Sequence, residues 1–311
     1  TNKPLVVGYT KTDLQHWSSL VARVLTAAGI TNQDFVQIAF PYHLGTAGLG
    51  FHYGAEKIGA SVIPASNEEI HRQILVMKDY KSTALIGTRG YALHLGAAIR
   101  DAGYHPEELF LMTGVFGSEP WSLALRKEIE ESLHITAYDN YGLSEIIGPG
   151  VAFECSERDG LHINEDHFIV EVIDPETAEP VPEGEPGELV FTTITKQGFP
   201  VIRYRTGDIS TLIPGECSCG RTLQRMERVS GRTDDMIIVE GHNVFPTQIE
   251  AALIEAEGTE PHYRIILRRE EGLDTMEVQV EISSAIPDLD ATGAILKFKH
   301  NVERNLTASL G

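Results

Sequence analysis

The chain has 311 residues, enough for two domains with buried cores. Its 25 Lys and Arg against 45 Asp and Glu give a formal net charge of −20, and such a surface repels phosphate backbones, which argues against nucleic acid as a partner. No run approaches the roughly 18 apolar residues of a membrane span, and the opening TNKPLVVGYT lacks the regions of a signal peptide, so a cytoplasmic protein without membrane association is expected.

Residues 1–150 alternate short apolar runs with helical patterns. The clearest helix is predicted over 12–28, with apolar residues on one face and Gly29 as its end. The segment GTAGLG is interpreted as a close-packed helix start, and no Gly-x-Gly-x-x-Gly follows an early strand, which disfavours a Rossmann dehydrogenase. The alternation predicts a mainly parallel sheet covered by helices, with ligands at the carboxyl ends of its strands.

The pattern changes after Gly150. HFIVEVID and GELVFTTIT alternate apolar and polar residues around a turn-rich stretch, which predicts an antiparallel β subdomain over about 151–230. The following strand, helix, strand pair and helix predict a small unit. The expected fold class is therefore α/β: a large domain (1–233) with a mainly parallel sheet and an antiparallel β subdomain, then a small α/β C-terminal domain (234–311).

The segment YDNYGLSE (138–145) places polar groups where a predicted strand ends. Gly142 permits close backbone approach, Ser144 can donate to a phosphate oxygen, and Glu145 can bind a hard cation such as Mg²⁺. The structural alternative is a strand end followed by a helix-capping Ser.

A second strand end occurs in FGSEPW (116–121). Backbone groups after Gly117 and Ser118 can read the edge of a flat heterocycle. By itself the segment is also typical of an ordinary helix start with Pro120 at the first position.

Two further segments carry charge. In YRTGDIS (204–210), a Gly turn beside a sheet would let Asp208 accept both hydroxyls of a ribose, although an Asx-type turn has the same pattern. In GRTDDMIIVEGHNVFPTQIE (231–250), the planar fork of Arg232 suits phosphate or ribose oxygens, whereas alone the segment is often a charged linker.

The three cysteines, an odd number, make a poor disulfide framework. Cys155, Cys217 and Cys219 with His162 have the composition of a closed tetrahedral Zn²⁺ site, although their spacing is not that of a zinc finger. The sequence predicts a structural zinc in the β subdomain, with unliganded thiols in turns as the alternative.

Together these segments resemble the acyl-adenylate-forming superfamily, which includes acyl-CoA synthetases, and within it the phenylacetate-CoA ligase family. YDNYGLSE, YRTGD, GRTDDMIIVEGHNVFP and the run GLHINEDHFIVEVIDPETAE all look like that family, and the resemblance covers essentially the whole chain.

The resemblance implies roles for individual residues. Glu145 would bind Mg²⁺ with Ser144 beside it, and both are implied to be catalytic together with Arg232. Asp234 would be the hinge of a mobile small domain. His43 would gate the acyl pocket, although a lone His is more often structural. The implied acyl-pocket residues are Tyr42 and His43, and the nucleotide site comprises Gly117, Ser118, Glu119, Pro120, Asn140, Tyr141, Gly142, Asp208 and Arg232.

The implied reaction is the ligation of an aryl acid, with phenylacetate leading, to coenzyme A through an acyl-adenylate, with ATP as co-substrate. The alternatives are an adenylylating synthetase acting on a deazaflavin or another aryl acid such as indoleacetate, and an inactive nucleotide-binding module. A homodimer would be unsurprising in this family.

The family also has a Ser/Thr/Gly-rich phosphate loop just before the point that corresponds to Thr1, and an adenylation Lys near the C-terminal end of the small domain. No matching Gly-x-Lys occurs before Gly311, and Lys297 and Lys299 are not assigned that role. The expectation is a chain clipped at both ends, which by itself adenylates poorly.

Overall fold

Two compact units make up the computed structural model of the protein. The first comprises Thr1–Glu119 and Glu128–Arg228, and the second Pro120–Lys127 and Val229–Gly311. No described helix has the length and apolar character needed to cross a bilayer. The structure describes residues 5–43, 45–66, 68–119, 121–235, 237–239, 242–256, 258–270, 273–283 and 292–310.

The elements up to Arg228 alternate strands and helices and then become all β. The helices are α1 (Lys11–Ala27), α2 (Thr46–Ile58), α3 (Ile70–Asp79), α4 (Arg89–Asp101) and α5 (Leu123–Leu133), with a 3₁₀ turn at Pro106–Glu108. The strands are β1 (Phe35–Ile38), β2 (Ser61–Ile63), β3 (Ala84–Gly87), β4 (Thr113–Gly117), β5 (Thr136–Leu143), β6 (Gly148–Glu154), β7 (Leu161–Ile163), β8 (Phe168–Ile173), β9 (Pro186–Thr193), β10 (Tyr204–Ile213) and β11 (Arg225–Met226).

These strands form one continuous sheet in the order β2-β1-β3-β4-β5-β6-β7-β11-β10-β9-β8. From β2 to β5 all neighbours are parallel, and a helix connects each strand to the next along the chain. From β5–β6 onward every pair is antiparallel. The predicted α/β class is confirmed, and the antiparallel β region is hydrogen-bonded directly to the parallel part.

Helices α1 and α2 pack closely because glycines replace side chains at their contact. A Cβ atom on Gly50 would lie 2.5 Å from a ring carbon of Trp17, and one on Gly54 would lie 2.5 Å from a methyl carbon of Val21. Trp17 and Val21 are buried on the apolar face of α1. The interpretation of GTAGLG as a close-packed helix start is therefore confirmed.

The second unit contains a small α/β arrangement. Val244, Ile249 and Leu253 are buried together with Ala256 and Val302. Apolar residues on both long strands pack against this cluster. Its elements are β12 (Gly231–Arg232), β13 (Ile237–Val239), β14 (His242–Val244), α6 (Pro246–Ile254), β15 (Thr259–Glu270), β16 (Leu273–Ile282) and α7 (Thr292–Leu310), with β13–β14 and β15–β16 paired antiparallel.

Asp13 fastens the start of α1 to a distant loop. Its side chain accepts hydrogen bonds from the backbone N–H of Thr10 at 2.8 Å, completing a capping box, and from those of Gln197 at 2.7 Å and Gly198 at 2.8 Å. Burial alone would raise the pKa of Asp13, but these donors outweigh it and hold the pKa below its ordinary value.

Asp13→Asn is expected to destabilise the protein by about 1.5–3 kcal/mol at neutral pH, because an amide nitrogen would face backbone donors. The folded carboxyl has the lower pKa, so its stabilisation is present above the unfolded value of 3.8 and is lost as pH falls from there through the folded pKa. Urea unfolding from pH 7 to pH 3 should show the difference between the two proteins narrowing below about pH 4. The exposed Asp101→Asn is the control, and a difference independent of pH would contradict this account.

Candidate functional site

The carboxyl ends of four parallel strands, β1, β3, β4 and β5, open on one cavity of about 310 Å³. This is where ligands bind in open α/β sheets. The cavity is lined by Phe40, Pro41, His43, Gly45, Thr46, Ala47, Phe51, Thr88, Ser118, Asn140, Gly142, Ser144, Gly148 and Pro149. Five residues singled out from the sequence are therefore brought together: His43, Ser118, Asn140, Gly142 and Ser144.

The end of β4 lies against β5 through a residue without a side chain. Gly117 pairs with Asn140, and a Cβ atom on Gly117 would lie 2.6 Å from the Asn140 carbonyl oxygen. Ser118 follows with φ of 71°, a left-handed conformation that costs a non-glycine residue energy. The chain thereby turns sharply at the rim of the cavity.

The β5–β6 hairpin is equally tight. Gly142 pairs with Pro149, and a Cβ atom on Gly142 would lie 2.0 Å from the Gly148 carbonyl oxygen. Beyond the strand, the hydroxyls of Ser144 and Thr46 are hydrogen-bonded at 2.9 Å. The hairpin is therefore joined to the first residue of α2, and the N-terminus of a helix favours anions.

Glu145 follows Ser144 and is half-buried. Within the described ranges its carboxylate takes part in no hydrogen bond or ion pair. Asn140 is different, because its side-chain oxygen accepts a hydrogen bond from the backbone N–H of Gly150 at 3.2 Å. The Asn140 side chain thus supports the hairpin, and its position also lines the cavity.

Asp208 is held within a strand, and the expectation of a Gly turn is wrong. The segment YRTGD lies inside β10, where the register to β9 shifts between Arg205 and Ile209. Gly207 has φ of 78°, which forms the irregularity at no steric cost. The bulge buries Asp208, and its Oδ2 accepts a 2.7 Å hydrogen bond from the hydroxyl of Tyr141 on β5.

Glu188 on β9 is a residue that sequence reasoning missed. It is buried, and its carboxylate accepts a 3.0 Å hydrogen bond from the backbone N–H of Gly207 and pairs with Arg205. Thr206 adds a second tie, because its hydroxyl donates to the Leu189 carbonyl at 2.9 Å. These hydrogen bonds hold the bulge that carries Asp208 in place. They depend on the pairing register of β9 and β10, which the local sequence does not predict.

Tyr42 and His43 have different surroundings. His43 is exposed at the cavity rim. The Tyr42 hydroxyl is hydrogen-bonded to Nδ1 of His52 at 3.2 Å, and burial raises the Tyr42 pKa. Tyr42 is not among the cavity-lining residues.

The remaining predicted residues lie elsewhere. Glu119 is exposed and pairs with Arg89 at 3.3 Å, and Pro120 lies outside the described residues. In the second unit, Arg232 holds Asp234 through two bonds, Nε to Oδ1 at 2.8 Å and Nη2 to Oδ2 at 3.1 Å. These bonds from Arg232 lower the pKa of Asp234. The nucleotide and hinge roles of these residues stay predictions.

The predicted Cys/His cluster assembles. The ligand atoms of Cys155, His162, Cys217 and Cys219 all lie within 4.8 Å of one another. Cys155 follows β6, and His162 lies on β7, which pairs with β11 just beyond the two later cysteines. Strand pairing thus joins two segments that are far apart in sequence.

Two groups of the cluster, His162 and Cys219, have pKa shifts that favour metal binding. Burial lowers the pKa of His162, which favours the neutral imidazole. Burial acts to raise the pKa of the Cys219 thiol, but hydrogen bonds from Arg221 and the neighbouring thiols lower it to about 7. A neutral imidazole and an acidified thiol are the forms that bind soft metal ions.

Comparison with known proteins finds similar enzymes. The chain is 49% identical over 284 residues to the phenylacetate-coenzyme A ligase of Thermus thermophilus, covering 91% of this chain and 64% of that protein. It is 47% identical over 287 residues to the phenylacetate-coenzyme A ligase of Escherichia coli, covering 92% of this chain and 65% of that protein. The chain thus spans just under two thirds of these relatives.

Two further comparisons agree with this similarity. The family described as the AMP-binding enzyme C-terminal domain matches residues 241–311. A crystal structure of a 2-hydroxyisobutyryl-CoA ligase in the postadenylation state, in complex with R3-HIB-AMP, matches with a TM-score of 0.93 at 28% identity. That match covers 100% of this chain and 67% of the other.

Gly142→Ala is expected to lower the free energy of unfolding by about 1–3 kcal/mol, because the added methyl group meets backbone that cannot move aside cheaply. Urea unfolding measures the change. Gly8→Ala makes the same substitution where no atom lies within 4 Å and should change the value by less than about 0.5 kcal/mol. Equal stabilities of the two variants would contradict the tight hairpin.

Proposed function

We propose that this chain, which belongs to the phenylacetate-CoA ligase family of acyl-adenylate-forming enzymes, is the part of a ligase that activates an aryl acid with ATP and passes the acyl group to coenzyme A. The observation that carries the proposal is that one cavity at the strand ends is lined by five of the predicted site residues. Phenylacetate is the leading acid, because relatives that bear its name are 49% to 45% identical.

The cavity has an apolar side suited to a flat ring. Phe40 and Phe51 stack with ring centroids 5.8 Å apart and an interplanar angle of 2°, and Pro149 also contributes to the lining. Apolar walls with a few polar groups are typical of small-molecule sites. Its polar side, with Thr46 and Ser144, would receive the carboxylate and the phosphate to be attacked.

The proposed reaction has two steps. A carboxylate oxygen of the acid attacks the α-phosphorus of ATP. The bond between that phosphorus and the oxygen that bridges the α- and β-phosphates breaks, and pyrophosphate leaves. The thiolate of coenzyme A then attacks the acyl carbon, and AMP leaves with the electron pair of the broken C–O bond. Because a carboxylate is a weak nucleophile, positioning and charge stabilisation at phosphorus supply most of the rate.

The nucleotide would be held at the end of β5. Asp208, oriented by the Tyr141 hydroxyl, would accept the ribose hydroxyls, and residues 117–120 would line the adenine. Arg232 would support the ribose and phosphates, with Asp234 as the hinge between a large domain (1–233) and a small domain (234–311). The hydrogen bonds of Glu188 to the Asp208 bulge support this rigid geometry.

Glu145, with Ser144 beside it, would hold the Mg²⁺ that accompanies ATP. A half-buried carboxylate with no described partner, next to a hydroxyl, fits a hard cation. When bound, the ion would neutralise charge on the phosphates.

Glu145→Gln is expected to lower kcat/KM for acid-dependent pyrophosphate release by about 100-fold or more, and Asp208→Asn to raise KM for ATP. The release of pyrophosphate and of AMP by the intact protein should be measured with ATP and phenylacetate, first without and then with coenzyme A. Indoleacetate and a deazaflavin should then be added as competing substrates. Release of AMP only after coenzyme A supports the ligase. A competitor used in preference to phenylacetate would overturn the substrate assignment, and absence of pyrophosphate with every acid would overturn the function.

We infer also that Cys155, His162, Cys217 and Cys219 hold a structural Zn²⁺. A tetrahedral site with Zn–S of about 2.3 Å and Zn–N of about 2.0 Å has S···S edges of about 3.8 Å and S···N edges of about 3.5 Å. The Cys155 and Cys217 sulfurs are 3.8 Å apart, and the Cys219 sulfur is 3.5 Å from Nε2 of His162. Both separations support a closed four-ligand site.

His162→Ala is expected to lose zinc and to lower the thermal midpoint, because three thiols would remain without the fourth ligand. Elemental analysis should find about one zinc per chain in the wild type and much less in the variant. The exposed His71→Ala is the control and should retain the metal. Wild-type protein refolded with zinc that still holds none would contradict the site.

A further inference from the structure

Lys196, just after β9, is a buried charge. The residue is 6% exposed, and its Nζ donates a 2.8 Å hydrogen bond to the carbonyl oxygen of Ile146. The ammonium also lies 4.7 Å from the centre of the Tyr9 ring. No carboxylate of the described residues forms an ion pair with it. Burying a charged ammonium group costs free energy. The hydrogen bond from Lys196 to the Ile146 carbonyl therefore needs an explanation.

The acceptor of Lys196 is the backbone directly after Glu145. The next carbonyl, that of Ile147, accepts a 3.0 Å hydrogen bond from the Tyr9 hydroxyl. On the other side of the same turn, the N–H groups of Ile146 and Ile147 both donate to the Leu143 carbonyl at 3.1 and 3.0 Å. The peptide groups that follow Glu145 are therefore held from two directions.

Lys196 is itself firmly anchored. The next two residues, Gln197 and Gly198, donate their N–H groups to Asp13. The preceding Thr195 is hydrogen-bonded through its hydroxyl to Nδ1 of His167 at 2.6 Å. A continuous series of contacts thus leads from the start of α1 through Lys196 to the turn that carries Glu145.

We propose that Lys196 is a positioning residue that sets the direction of Glu145 by holding the Ile146 carbonyl, and thereby supports binding of Mg²⁺·ATP. This role rests on the proposed function. A charged donor suits the task, because a charge-assisted hydrogen bond is about twice as strong as a neutral one. AMP lacks the phosphates that carry the cation, so its binding does not depend on Glu145.

The test measures equilibrium binding of ATP with Mg²⁺, and separately of AMP, to the intact protein by calorimetry. Lys196→Met keeps the apolar stem and removes the donor, and it should weaken Mg²⁺·ATP binding about tenfold while AMP affinity changes less than about twofold. Lys78→Met is the matched control, because Lys78 also lies over a ring, that of Tyr104 at 4.5 Å, but is exposed on α3. Lys78→Met should leave both affinities unchanged.

Tyr9→Phe is the second variant in case Lys196→Met does not fold. It keeps the ring beneath the ammonium and removes only the bond to the Ile147 carbonyl, so it should weaken Mg²⁺·ATP binding about threefold and spare AMP. Equal losses for both nucleotides, or no loss in either folded variant, would overturn the positioning role. An intact wild-type protein that binds neither nucleotide would refute the proposed function, and the positioning role of Lys196 would be refuted with it.

Discussion

The architecture depends on one strand that must satisfy two kinds of pairing. Strand β5 is parallel to β4 along one edge and antiparallel to β6 along the other. A parallel neighbour requires a crossover helix, whereas an antiparallel neighbour is reached by a tight hairpin, so the change of direction occurs at the end of β5. Gly117 and Gly142 make both close approaches sterically feasible there.

The change from parallel to antiparallel pairing at β5 also brings polar groups together at the end of that strand. Residues 140–145 lie where the parallel helical crossovers end and the antiparallel half begins, and their neighbours come from both halves. Thr46 approaches from a helix of the parallel half, and Asp208 from a strand of the antiparallel half. The local cations Lys196 and Arg205 are bound to carbonyl or carboxylate groups within a chain of net charge −20. Anionic ligands would therefore depend on backbone N–H groups and a cation more than on the overall field.

Much of the fold and of the site follows from local sequence. Alternating apolar runs and helical stripes predict the parallel half, because each crossover is a local unit, and strand ends bring residues 118, 142 and 144 to one edge. The cysteine cluster could also be predicted from the sequence, because its ligand types are few and distinctive. The register between strands that are distant in sequence could not be predicted. Thr-Gly-Asp is typical of a turn, and only pairing with β9 converts it into a bulge inside a strand. Glu188 and Lys196 are buried, but their sequence neighbourhoods do not predict it, because charged residues are usually exposed.

The Cys/His cluster has a consequence for the order in which the chain matures. Cys155 and Cys217 are separated by 62 positions, and β8, β9 and β10 lie between them along the chain. During translation Cys155 and His162 are therefore made before Cys217 and Cys219. All four ligand atoms therefore lie together only in molecules whose antiparallel half has folded with β11 paired to β7.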